Sequence, residues 1–253
     1  MRWWNGFWRK SAAKTFFPSP DGMRLYYRFL RLLARGIHVL YFRGRVYGLA
    51  NVPTRGGVML ACNHQSYLDP VLVTLALDRE GHFMARDTLF HQPSFRRLIE
   101  SLNAFPVKRG AADVGAVKEI LRRLKSDKVV VVFPEGTRTN DGRIGAINAN
   151  SLLIAKRAGA AIVPTVIDGA FDAWPRRRML PAPSPIYVTY CKAITPAEIE
   201  AWSIEEIGAV VERRLRERFA ASQALRRRRA GIDDGRVNQG ESSGAAATKS
   251  TGN

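Results

Sequence analysis

Residues 129–133 read Val-Val-Val-Val-Phe, with no polar side chain and a β-branched residue at four successive positions. Branched side chains favour extended backbone, and an uninterrupted apolar run of strand length has to be covered on both faces. A strand of that kind sits inside a sheet with helices above and below it, joined by crossover connections.

The rest of the chain supplies those connections. Pro53 and Gly56-Gly57 mark a turn ahead of Val58–Cys62, a second buried run. His82–Ala85, Ala104–Val107, Ala161–Ile167 and Ile186–Tyr190 read as further strands. Between them, helices are expected from Pro70 to Leu77, from Pro93 to Ser101, from Asp113 with Val114, Val117, Leu121 and Leu124 on the inner face, and over Leu152–Arg157 before Gly159. Ser203 with Glu206 three residues on is a capping box that opens a last helix, with Ile207, Val210, Val211, Leu215 and Phe219 facing inward. The alternation predicts an α/β fold, a largely parallel mixed sheet flanked by helices. With 253 residues, 46% of them hydrophobic, one such domain accounts for the core. The expected organisation is a basic, aromatic, amphipathic segment over 1–44, the α/β domain over 45–222, and a disordered tail over 223–253, poor in large apolar residues.

The formal charge of +18 requires an anionic partner to be considered, and its distribution selects one. Half of it falls in the first 47 residues, where ten lysines and arginines face a single acid, Asp21. Those residues also hold Trp3, Trp4, Phe7, Trp8, Phe16, Phe17, Tyr26, Tyr27 and Phe29, a mixture suited to headgroups and the acyl boundary. Over 23–42, Met23, Tyr26, Tyr27, Leu30, Leu33, Ile37 and Leu40 recur at mostly three- and four-residue steps, with arginines largely opposite: an amphipathic helix. Its apolar face can pack on the domain or on a bilayer, and the aromatic-basic flank favours an acidic lipid surface. No nucleic-acid motif accompanies the charge, so nucleic acid is the disfavoured partner. The Arg226–Arg229 run reads as a solvated charge cluster.

The stretch Phe29–Phe42 is interrupted by Arg31, Arg35 and His38 and falls short of the roughly 20 apolar residues of a spanning helix, so no transmembrane helix is expected. No small-residue cleavage site follows the basic start, which therefore reads as mature protein. Cys62 and Cys191 lie far apart without C-x-x-C spacing, which suggests neither a disulfide framework nor a zinc site and fits a reducing cytosol.

The segment Asn63-His64-Gln65-Ser66-Tyr67-Leu68-Asp69-Pro70 follows a predicted strand, where open α/β sheets place their sites. Five residues of straight helix turn through about 500°, leaving His64 and Asp69 roughly 140° apart and out of reach. Pro70 fits the first helical position with Asp69 as cap, and His64 then lies in a preceding turn that folds back. In that arrangement the carboxylate orients the imidazole and stabilises it when protonated, the arrangement of a general base.

Asn63-His64-x-x-x-x-Asp69 resembles the first motif of the glycerophospholipid acyltransferase family, the PlsC-like enzymes whose type activity is acylation of 1-acylglycerol-3-phosphate. Phe105-Pro106-Val107-Lys108-Arg109 resembles the second, Phe133-Pro134-Glu135-Gly136-Thr137-Arg138 the third and Ile162-Val163-Pro164 the fourth, in matching order across 45–170. The resemblance implies the glycerolipid acyltransferase fold, with His64 and Asp69 catalytic and Arg109, Glu135, Gly136, Thr137 and Arg138 binding substrate. It implies acyl transfer from acyl-CoA or acyl carrier protein to the hydroxyl of a lysophospholipid in phospholipid biosynthesis, with no cofactor beyond the donor. Arginine forks suit the acceptor's phosphate. Gly136 permits either close backbone approach or a positive φ, and Glu135 either orients an arginine or binds an acceptor hydroxyl.

Departures from the family pattern, Asn103 at a position often glycine and Asn148 and Asn150 where a lysine and a glycine commonly follow the third motif, leave the acceptor less defined than the chemistry. A different lyso-lipid and a catalytically silent lipid-binding protein are the alternatives. The expected location is peripheral, on the cytosolic face of the cell membrane. No G-x-S-x-G elbow, H-E-x-x-H pair or Walker loop is present.

Overall fold

The computed structural model describes residues 20–108 and 113–231. The chain opens with helix α1 (Pro20–Leu40) and strands β1 (Arg45–Tyr47) and β2 (Val58–Cys62), followed by a four-residue helix α2 (Asp69–Leu72) and β3 (Gly81–Arg86). Next come α3 (Pro93–Ser101), β4 (Ala104–Val107), α4 (Val114–Lys125) and β5 (Val129–Val132). The last third holds α5 (Leu153–Ala158), β6 (Ala161–Asp168), α6 (Ala170–Ala173), β7 (Tyr187–Tyr190), α7 (Pro196–Ala201) and α8 (Ile204–Arg229).

The strands form one sheet in the order β1-β7-β6-β2-β5-β3-β4. Every neighbouring pair is parallel except β6 with β7, so the expected largely parallel mixed sheet is what forms. The valine run is central, paired with β2 on one side and β3 on the other, and all four of its valines are buried. Alternate residues serve opposite faces: Val58, Leu60, Val129 and Val131 join one core cluster, and Met59, Ala61, Val130 and Val132 the other. The second face is covered by α4, α5, α7 and α8 through Ile120, Leu124, Ala155, Ile199, Ile207, Val211 and Leu215. Strand β1 carries no apolar run and was not legible. It is set by backbone bonds bracketing one residue, Ile186 N–H to Phe42 O and Arg45 N–H to Ile186 O.

Two boundaries differ from expectation by more than three residues. The helix after the first motif ends at Leu72 and gives way to turns, and Asp69 is its first residue rather than its cap, which is Leu68. At the other end, structure does not stop near Ser222. Helix α8 runs on to Arg229, because its alanine, leucine and arginine residues are strong helix formers and two of its side chains find partners on β6 and α6. Ser222 Oγ donates to Asp168 Oδ2 at 3.0 Å, and Arg226 pairs with Asp168 and Asp172. The expected tail beyond 231 lies outside the described residues, as do residues 1–19 of the amino-terminal segment.

Helix α1 is amphipathic, but of its expected apolar face Tyr27 is buried while Tyr26, Leu33, Ile37 and Leu40 are exposed, so most of its apolar surface points away from the domain. Arg31 and Arg35 turn inward, donating to the carbonyls of Leu77 at 2.7 Å and Leu75 at 2.5 Å, and Tyr27 and His38 are buried beside them. Leu25, Phe29, Leu32, Leu33, Ile37 and Leu40 are exposed, Leu40 to 83%. A helix stabilised by domain packing alone has the opposite polarity. No helix among the described residues is long and apolar enough to cross a membrane.

Candidate active site

Because β2 and β5 are parallel neighbours, with Ala61 beside Val132, the loops leaving their carboxyl ends lie side by side. The first carries His64 and the second Glu135, Gly136, Thr137 and Arg138.

His64 Nδ1 lies 2.8 Å from Asp69 Oδ2, so the two residues that no straight helix brings together do meet. The same oxygen accepts the backbone N–H of Gln65 at 2.5 Å and of Ser66 at 2.7 Å. The turn thus wraps around a fully buried carboxylate. A carboxylate only accepts, which puts the proton on Nδ1 and leaves Nε2 with its lone pair. Nε2 makes no hydrogen bond to protein among the described residues, and the imidazole is partly open to solvent. Its opposite side is fixed by Phe133, whose ring stacks on it at 3.9 Å between centroids and 17° between planes.

Glu135 braces this loop. Its Oε1 accepts the N–H of His64 and its Oε2 that of Gly145, each at 2.8 Å. Both of its oxygens thus accept from backbone, and among the described residues it pairs with no arginine. Burial raises its pKa, opposed by the two backbone donors. Thr139 N–H adds a third strut, donating to His64 O at 2.8 Å.

Arg138 is only 6% exposed, and its guanidinium carbon lies 3.5 Å from the centre of the Tyr67 ring. Its Nη1 is buried with no partner among the described residues. A buried guanidinium nitrogen without an acceptor is costly, and an anionic group at that point satisfies it. Gly136 has φ +68°, the left-handed turn conformation that glycine adopts without steric cost. Thr137 is exposed at the tip of the same loop. Arg109 lies outside the described residues, and the second motif is seen only as far as Lys108, whose N–H donates to Asp113 Oδ2.

Four residues beyond the expected set hold this geometry. Asn63 extends the sheet by one rung, exchanging two 2.8 Å bonds with the backbone of Ile167. Gln65 links Gly142 O to Phe171 N–H. Phe133 and Tyr67 supply the aromatic surfaces under His64 and Arg138. A polar pair directly following a fully buried strand was the available signal for Asn63 and Gln65, since buried amides require partners. Cys62, fully buried at the strand end with its thiol pKa raised well above the ordinary range by burial, fits an inert packing role.

The departures from the family pattern are conformationally mild. Asn103 has φ +63°, a conformation that favours glycine and that asparagine tolerates best among other residues. Asn148 caps a short 3-10 turn, accepting from Asn150 N–H at 3.1 Å.

A family model described as Acyltransferase matches residues 43–168, the span containing all four motifs and the His64–Asp69 contact. The chain belongs to the PlsC-like acyltransferase family. Its fold is that of the solved 1-acyl-sn-glycerophosphate acyltransferase PlsC of Thermotoga maritima, with a TM-score of 0.70, 25% identity, and 81% of this chain and 82% of that one covered. Among curated relatives, the 1-acyl-sn-glycerol-3-phosphate acyltransferase of Bacillus subtilis is 29% identical over 52% of this chain and 66% of the relative. A chloroplastic 1-acyl-sn-glycerol-3-phosphate acyltransferase of Arabidopsis thaliana is 28% identical over 60% and 44%. The chain thus aligns with less than two thirds of the length of these curated relatives.

Proposed function

We propose that this acyltransferase moves a fatty acyl group from an acyl thioester to the free hydroxyl of a lysophospholipid, with 1-acylglycerol-3-phosphate as acceptor. The observation that carries the reading is the His64–Asp69 contact of 2.8 Å with Nε2 left available. Nε2 removes the acceptor's hydroxyl proton as its oxygen attacks the thioester carbonyl. Asp69 balances the imidazolium that results. The tetrahedral intermediate collapses with loss of the C–S bond, and the departing thiolate takes the proton back from His64. The acyl group passes directly between substrates, and acyl-CoA or acyl carrier protein is the donor.

Arg138 holds the acceptor's phosphate, supported by its buried, unpartnered Nη1, and Arg109 is assigned the same role by motif alone. Glu135, Gly136 and Thr137 form the loop that fixes the distance between phosphate and base. The outward apolar face of α1, flanked by the basic amino terminus, supports docking on acidic lipid at the cytosolic face, so that a substrate with an acyl chain need not leave the bilayer.

Transfer of labelled acyl from acyl-CoA and from acyl carrier protein to a panel of lyso-lipids, with His64→Ala beside the unmodified protein, tests the reading. Turnover of 1-acylglycerol-3-phosphate that vanishes in the variant is expected. Equal turnover by both proteins sinks the mechanism, and selective use of another lyso-lipid sinks the acceptor assignment.

A further inference from the structure

We propose that the loop joining α6 to β7 inserts its tip into an anionic bilayer and forms a second anchor beside α1. The proposal rests on the membrane reading of α1 and extends it to a segment more than 130 residues further along the chain.

Met179 and Leu180 form the tip and are 90% and 76% exposed. They are held out on a closed scaffold. Ala182 N–H donates to Ala173 O at 2.8 Å across the base, Trp174 Nε1 to Arg178 O at 2.9 Å, and Arg178 N–H to Pro175 O at 3.1 Å. A loop tied this way presents two large apolar side chains to solvent, uncovered by any of the described residues, and ordering it on a bilayer adds little conformational cost. Arg176, Arg177 and Arg178 immediately precede the tip and are exposed, which places cations at headgroup depth when the tip enters the acyl boundary.

The tip is continuous with the outward face of α1. Tyr41 Oη, just past the end of that helix, donates to Pro181 O at 3.0 Å, next to the exposed Leu40. The base of the loop is also a wall of the candidate site: the Trp174 ring lies 5.6 Å from that of Tyr67, on which Arg138 stacks, and Arg176 Nη1 donates to Asn140 Oδ1 at 3.2 Å. Insertion therefore sets Arg138 at the level where an acceptor's phosphate lies while its acyl chain stays in the membrane.

The test uses the full chain carrying Leu180→Cys in a Cys191→Ser background, labelled with an environment-sensitive NBD fluorophore and mixed with phosphatidylglycerol–phosphatidylcholine vesicles. Co-sedimentation measures binding and emission measures insertion. A blue shift and gain in intensity on binding are expected, together with about tenfold weaker partitioning of Met179→Ser/Leu180→Ser. That double variant is expected to keep its turnover of a short-chain lyso-acceptor dissolved as monomer. Protein that sediments with vesicles while the fluorophore reports water overturns the loop anchor and leaves the α1 reading intact. Protein that does not sediment at all overturns both.

Discussion

Glu135 Oε1 accepts the backbone N–H of His64 at 2.8 Å, tying the base to the loop that follows β5. With Oε2 engaged by Gly145 N–H, both carboxylate oxygens are committed to backbone donors, which under the proposed mechanism makes Glu135 a positioning residue.

Glu135→Gln tests that role. The amide keeps one acceptor and turns an NH2 group toward a backbone donor, so one buried bond of the charged type is lost, worth about 1.5–3 kcal/mol. The expected result is a stability loss of that order in urea unfolding and a fall in kcat of roughly 100-fold from displacement of the base. KM for the acceptor is expected to stay near its original value. A variant with unchanged kcat and a raised KM would instead put Glu135 on the substrate.

His64→Ala and Asp69→Asn act on one unit. Loss of the base is expected to lower kcat by about 10²–10⁴, with the fold intact. Asp69→Asn is expected to lower kcat comparably and also to destabilise the protein, because the same oxygen holds Gln65 and Ser66 N–H. The double variant is expected to be no slower than His64→Ala alone, since members of one catalytic unit are non-additive. Multiplicative losses in the double variant would contradict that coupling.

Arg138→Met separates binding from stability. Replacing a buried, unpartnered guanidinium nitrogen with an apolar group of similar length removes a desolvation cost, so the folded protein is expected to be at least as stable. Acylation of a phosphate-bearing acceptor is expected to fall by about 100-fold or more in kcat/KM, the scale of a charge-assisted pair. Arg138→Lys is expected to recover little, because the planar fork stacked on Tyr67 is not reproduced by an ammonium. A methionine variant that unfolds more readily while retaining kcat/KM would make Arg138 structural.

Much of this was legible because it is written in local pattern. The four-valine run fixed a buried central strand, and the five-residue spacing of His64 and Asp69 excluded a straight helix between them, which is how they are found. Edge strand β1 was not legible, since its pairing depends on the backbone of Ile186, far away in sequence. The continuation of α8 was missed for the same reason. Arg226 reads as one of four solvated arginines until the fold sets Asp168 and Asp172 beside it. Helix periodicity revealed the two faces of α1 but not which one the domain would take; Arg31 and Arg35 finding the carbonyls of Leu77 and Leu75 decided that. The two backbone partners of Glu135, His64 and Gly145, are recognisable only once the β2 and β5 loops are adjacent.

His82 contributes to the acid limb of stability. Its pKa is lowered from 6.5 to about 3, first by burial and then by Arg123, whose guanidinium donates to Nδ1. The folded protein therefore keeps the ring neutral across a range in which the unfolded chain protonates it. Between these two values the unfolded state binds more protons, so stability rises with pH there and is lost as pH falls through 6.5 toward 3. From pH 6.5 down to about pH 5 one such group removes roughly 2 kcal/mol. His82→Asn retains an acceptor for Arg123 and does not titrate. The expected outcome is a smaller stability difference between those two pH values, by about that amount, in denaturant unfolding followed by circular dichroism. An unchanged pH dependence in the variant would mean that His82 is protonated in the folded protein or that acid acts through other groups.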